Sequence, residues 1–140
     1  MAEKFMSSYM WMPATKRASK PKVSPETKAV LKAQADRWVE DYLKPAKVEP
    51  PPENPNFNYL VDIFTKWHGS FFYFCATYHC PSPNAISPSF ERKFAGMNYT
   101  GNNTYTLSYL RHNDQWHEVF YKQDVDTCFE LIAHDPCFMP

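Results

Sequence analysis

Residues Phe57–His79 read FNYLVDIFTKWHGSFFYFCATYH, and the period of their side chains decides the fold. The first half alternates Phe57, Tyr59, Val61 and Ile63 on one face, the period of two that belongs to a half-buried strand. His68-Gly69 supplies a tight turn, and SFFYFCATYH (Ser70–His79) returns as a second strand. That second strand is apolar on both faces, with Phe71, Tyr73 and Cys75 opposite Phe72, Phe74 and Ala76. One layer of helices covers only one side of such a strand. The sequence therefore calls for a sheet that curls, an N-terminal segment folded over it, or a second subunit.

Downstream, CPSPNAISPS (Cys80–Ser89) is a loop by its prolines, serines and asparagine. Three further strands follow: FERKFAGMNY, a turn at TGNN, TYTLSYLRH, a turn at HNDQ, and WHEVFY. Asp124 then caps a short helix, VDTCFELIAH, whose Val125, Cys128, Phe129 and Ile132 recur at spacings of 3, 1 and 3. Upstream, SPETKAVLKAQADRWVEDYLKP is the clearest helix. Ser24 caps it, Pro25 suits the first helical position, and Glu26 lies where the helix dipole favours an acid. Leu31, Ala35, Trp38 and Tyr42 form its apolar stripe, widened by Val39 and Leu43, and Pro45 is expected to stop it. A proline-rich extended connector spans 45–56. The expected fold is α+β: an N-terminal helix, an antiparallel five-stranded meander sheet and a short C-terminal helix, forming one domain over 24–140.

Residues 1–23 read as an extended arm rather than as part of that domain. They hold five basic residues against Glu3, a net of +4, which leaves −4 on the remainder because the whole chain is neutral. A neutral chain has no global field favouring nucleic acid or acidic membranes, so any such contact falls to the arm. No stretch is apolar for long enough to span a bilayer, and the N-terminus lacks the pattern of a signal peptide. The expected location is the cytoplasm, where the four cysteines stay reduced.

The stretch YLRHNDQWHEVFY (Tyr109–Tyr121) concentrates histidine, aspartate, glutamate and arginine. His112 and Asp114 flank a four-residue turn, a place that suits Asn and Asp because their side chains bond local backbone. On the next strand Trp116 and Glu118 point to one face, and His117 and Val119 to the other. WHEVF lacks the second histidine of the zinc-protease motif and is not helical. No nucleophile stands in a recognised arrangement, so no catalytic residue and no enzyme activity is expected. Cys75, His79 and Cys80 cluster at one strand end, and Cys128, His134 and Cys137 near the C-terminus. Four such donors converging would hold zinc. Neither cluster contains a C-x-x-C pair, and Cys75 and Cys128 occupy core positions, so the expectation is no metal and no cofactor.

The second half resembles a small bacterial family catalogued as a domain of unknown function, number 3024 in that series. Its members show a strand near VAKLRY, a hairpin W-x-L-Y-W-x-R, then N-G-x-W-H-R-Y, a short helix and a terminus near D-P-x-G-x-F-F. In this chain FAGMNY (Phe94–Tyr99), YTLSYLR (Tyr105–Arg111), NDQWHEV (Asn113–Val119) and DPCF (Asp135–Phe138) follow in the same order, and RWVEDYL (Arg37–Leu43) resembles the family's opening helix. The resemblance covers 24–140. Gly96 stands where a lysine is usual, the terminal glycine is missing, and NAISPSF (Asn84–Phe90) and the basic arm mark a subgroup. The resemblance implies no activity for any residue.

Two functions are expected from this pattern. One is a non-enzymatic interaction module, self-associating or docked on a larger assembly, with Phe5, Tyr9 and Trp11 of the arm as anchors. The other is a nucleic-acid-binding accessory protein whose Lys16, Arg17, Lys20 and Lys22 contact phosphates. VDTCFELIAH carries no lysine or arginine, which removes the double-stranded-RNA-binding pattern. No membrane partner is expected.

Overall fold

The computed structural model describes residues 22–53 and 57–140. Helix α1 (Pro25–Trp38) begins where the sequence places its signals: the Ser24 hydroxyl accepts from the Thr27 N–H at 3.1 Å, and Pro25 needs no amide partner there. The helix then widens into a π turn (Val39–Leu43) and resumes as α2 (Lys44–Lys47). Pro45 therefore does not stop the helix. It sits in the first turn after the π segment, where its missing N–H is tolerated, and extended backbone starts only at Val48.

The residues that α1 and its extension bury are Leu31, Ala35, Val39 and Leu43, a strict spacing of four. On a helix of 3.6 residues per turn that spacing drifts about 40° per step, and the wider π turn takes up the drift. Trp38 packs at the margin of the stripe, and Tyr42 is 38% exposed, so the stripe expected through Trp38 and Tyr42 is displaced by one residue.

Five strands follow: β1 (Tyr59–His68), β2 (Phe71–His79), β3 (Ser89–Gly101), β4 (Thr104–Leu110) and β5 (Trp116–Gln123). They pair antiparallel in sequence order, so the sheet is a meander. Gly69 has φ of +62° and Ser70 follows with negative φ, the pattern of a II′ hairpin. At the β3–β4 turn Asn102 and Asn103 both have positive φ, as a I′ hairpin requires. The alternation expected through Phe57, Tyr59, Val61 and Ile63 does not hold. A bulge between Leu60 and Asp62 leaves Val61 39% exposed, Phe57 lies ahead of the strand at 82% exposed, and Leu60 instead packs on the core.

Helix α3 (Val125–His134) is capped by Asp124, whose carboxylate accepts the Thr127 N–H at 2.7 Å. α1 and α3 lie on the same side of the sheet, because both contribute to one core with Phe72, Phe74, Ala76, Met97 and Leu107. Phe74 is the keystone of that layer. Trp38 of α1 stacks on Phe129 of α3 at 4.6 Å, and Phe74 meets both rings edge-on. A single 3₁₀ turn (Pro136–Phe138) drops Phe138 into the core beneath Tyr109 and Phe120. The structure is thus α+β, with an N-terminal helix, a five-stranded antiparallel meander and a short C-terminal helix. No described helix is long and apolar enough to cross a membrane.

Candidate interaction surface

With both helices on one side, the other face of the sheet is covered by no described element. Phe71, Tyr73 and Cys75 stand on this outer face, as the two-faced pattern of β2 demands. Strand register then fixes a row across all five strands: Lys66 pairs with Tyr73, Tyr73 with Gly96, Gly96 with Ser108, and Ser108 with Glu118. The middle of the row is small and its flanks are large. The result is a groove of about 480 Å³ with Gly96 and Ser108 as floor, Phe71 and Tyr73 as one wall, and Trp116, Glu118 and Tyr121 as the other.

Gly96 is what lets the walls close. A Cβ at that position would lie 3.3 Å from the Tyr73 ring and 3.4 Å from the Trp116 ring, so a larger residue would push the two apart. As it is, the rings approach to 5.4 Å between centroids, closing one end of the groove. Phe71 and Tyr73, two apart on one strand, lie parallel at 5.8 Å. Lys93 places its ammonium 4.7 Å above the Tyr73 ring, where the ring's negative face attracts it. Burial pushes the Tyr73 hydroxyl above its ordinary pKa, with a smaller contribution from Cys75. Burial also raises the Cys75 thiol, against the opposing pull of Lys66 and Lys93. Cys75 is therefore a protonated, packed side chain at neutral pH, unsuited to nucleophilic attack.

The polar cluster at Tyr109–Tyr121 is the device that sets Trp116 in place. Between β4 and β5 the chain turns at Arg111–Gln115, with Asp114 N–H donating to Arg111 O at 2.9 Å, Gln115 N–H to the Asn113 side chain at 3.2 Å, and Asp114 at φ of +61°. Arg92 of β3 reaches across and donates to Asp114 Oδ1 at 2.8 Å and to Arg111 O at 3.1 Å, pinning the turn to the sheet. His112 is exposed in the turn. His117 lies beside Tyr109 at 5.9 Å and 3.4 Å from Arg111. His117 and Glu118 both border the outer groove, and His112 is not among its lining residues.

The two cysteine and histidine clusters do not combine either. Cys75 lies on the outer face beside Lys66 and Lys93, whereas Cys128 is sealed in the helix–sheet core, its thiol pushed up to about 12 by burial. His79 ends β2 beside Tyr59, Cys80 closes the following loop by donating its N–H to Pro88 O, His134 meets the Tyr42 hydroxyl at 3.2 Å, and Cys137 is exposed. Among the described residues no group of three or more potential ligands is placed to hold a metal ion. Of the arm, Phe5, Tyr9, Trp11, Lys16, Arg17 and Lys20 lie outside the described residues, and Lys22 is exposed ahead of α1.

The residues that build the groove were individually visible in the sequence. Tyr73 stood out as the second face of β2, Trp116 and Glu118 as one face of β5, and Gly96 as a departure from the family pattern. Nothing in the local sequence joined them, because cross-strand register is set by pairing and not by alternation. No curated protein and no solved structure matches the chain. A family model described as a domain of unknown function (DUF3024) matches residues 23–140, which takes in every described strand and helix, and the chain belongs to that family.

Proposed function

We propose that the protein is a non-enzymatic interaction module that binds another protein surface through the outer face of its sheet. The observation that supports it is the aromatic groove floored by Gly96 and Ser108. Tyr73 is half-buried, Trp116 is 38% and Tyr121 60% exposed, on a face where no described element provides cover. Aromatic side chains with a polar handle are the residues that most often carry binding energy at interfaces. A photo-crosslinking residue in place of Trp116 tests the reading in the cells that make the protein. Adducts with one or a few proteins, its own copy included, are expected from that position. The same residue in place of Val30, exposed on α1, serves as the control. Equal or absent adducts at the two positions would remove the outer face from the function.

A second reading is supported by Lys66 and Lys93 beside Tyr73, together with the basic residues Lys16, Arg17, Lys20 and Lys22. Aromatic rings next to lysines suit unpaired bases and their phosphates. Single-stranded probes would then be retarded at low salt and released as salt rises. An absence of retardation at low salt excludes it.

A further inference from the structure

We infer that the outer face pairs with the same face of a second copy, about a two-fold axis that runs along the strands over β3. The inference rests on the interaction reading above and names its partner. Two sheets packed face to face and nearly aligned admit two simple two-fold arrangements. With the axis across the strands, β1 lies over β1, so Lys66 meets Lys66 and the bulky Tyr73 meets Tyr73. With the axis along the strands, β1 lies over β5 of the other copy. The row Lys66, Tyr73, Gly96, Ser108, Glu118 is then read against itself in reverse.

That second arrangement is complementary at every step. Lys66 faces Glu118 and Tyr73 faces Ser108, while Gly96 lies over Gly96 beneath the Tyr73 and Trp116 rings of each copy, so large residues of one row stand over small ones of the other. The neighbouring row behaves alike: Phe71, whose outer-face partner across β3 leads to Thr106, lies over that small residue. Aligned sheets cross at roughly 30°, which displaces the outer strands by about 5 Å, a distance the long Lys66 and Glu118 side chains span. Both are exposed. Five strands about 4.8 Å apart and three rows of side chains present roughly 500 Å² per copy, or about 1,000 Å² in the pair, the lower bound for a specific interface. The expected dimer is accordingly weak and concentration-dependent. Lys93 is the one like-charge approach across the axis, and its ammonium is drawn aside over Tyr73.

The test is a charge swap on the full chain, read by sedimentation equilibrium from about 1 µM to about 1 mM. K66E and E118K each weaken the dimer about tenfold, because the two-fold axis makes each change count twice. The double variant K66E/E118K returns to within about threefold of the parent. An equimolar mixture of the two single variants forms a mixed dimer more readily than either alone, since Glu then faces Glu nowhere. Circular dichroism confirms that each variant is folded. A parent chain that stays monomeric, or single variants that leave its dimer unchanged, or a double variant that is not rescued, overturns the inference. If the chain is monomeric yet the Trp116 position crosslinks to a different protein, only this inference falls. If neither association nor crosslinking is found, the interaction reading falls with it.

Discussion

Gly96→Ala separates the stability of the fold from the work of its outer face. Glycine inside a strand costs roughly 0.5–1 kcal/mol relative to alanine, because its unfolded chain has more conformations to lose. Gly96 has an ordinary strand φ, so alanine meets no backbone strain there. Against that gain stand close contacts with two rings, at 3.3 Å to Tyr73 Cε1, 3.4 Å to Tyr73 Cδ1 and 3.4 Å to Trp116 Cζ3. All three atoms are ring edges at a half-open surface, free to give by a few tenths of an ångström. The two effects nearly cancel, and the expected change in unfolding free energy is within about 1 kcal/mol of zero. The groove, by contrast, loses its closed end, since each ring must lean away from the new methyl. Urea denaturation measures the first effect, and association through the outer face, by sedimentation or crosslinking yield at Tyr121, the second. A loss of stability beyond about 2 kcal/mol would show that the rings are locked and the site is core in character. Unchanged association together with unchanged stability would show that the Tyr73–Trp116 contact plays no part in binding.

Phe74→Ala removes the ring on which Trp38 and Phe129 converge and should cost about 3–5 kcal/mol, a large share of a typical domain's stability, seen as a lower urea midpoint. The Asp124 carboxyl is held below its ordinary pKa by the Thr127 N–H and hydroxyl. Its stabilisation of α3 is therefore present above the unfolded value near 3.8 and disappears as pH falls through the lower folded value, so an Asp124→Asn variant should show a flatter acid limb in pH-dependent melting. At the alkaline end, burial pushes Tyr105 up to about 12 from 10.0 and Cys128 up to about 12 from 9.0. Both groups ionise more readily unfolded than folded. Stability should then be full below pH 9 and decline between pH 9 and 12, and Tyr105→Phe with Cys128→Ala should shift the loss to higher pH.

How much of this was legible in the residues can be judged at particular places. Ser24, Pro25 and Asp124 announced their helix ends because capping is a contact between residues three apart. Gly69 and Asn102-Asn103 announced their turns through the backbone angles they tolerate. The alternation of Phe71–Ala76 announced that the second strand has two apolar faces, which was enough to foresee that helices on one side would leave the other uncovered. These are local facts, fixed by covalent geometry and nearest-neighbour sterics.

Three features depended on contacts between distant segments, and no local signal announced them. The bulge at Val61 exchanged the faces of the first strand, because pairing with β2 favours Ile63, Thr65 and Trp67 toward the helices. The π turn carried the helix past Pro45, because burying Val39 and Leu43 on the sheet outweighs the preference of an isolated helix to end there. The row from Lys66 to Glu118 came into being only when four register choices were made together, and each choice was settled by how the opposite, buried face packs. Alternation along each strand told which side a residue faces. Which residues stand beside it on that side was decided by the folded sheet, because hydrogen-bond register is a property of pairs of strands and of the core that holds them.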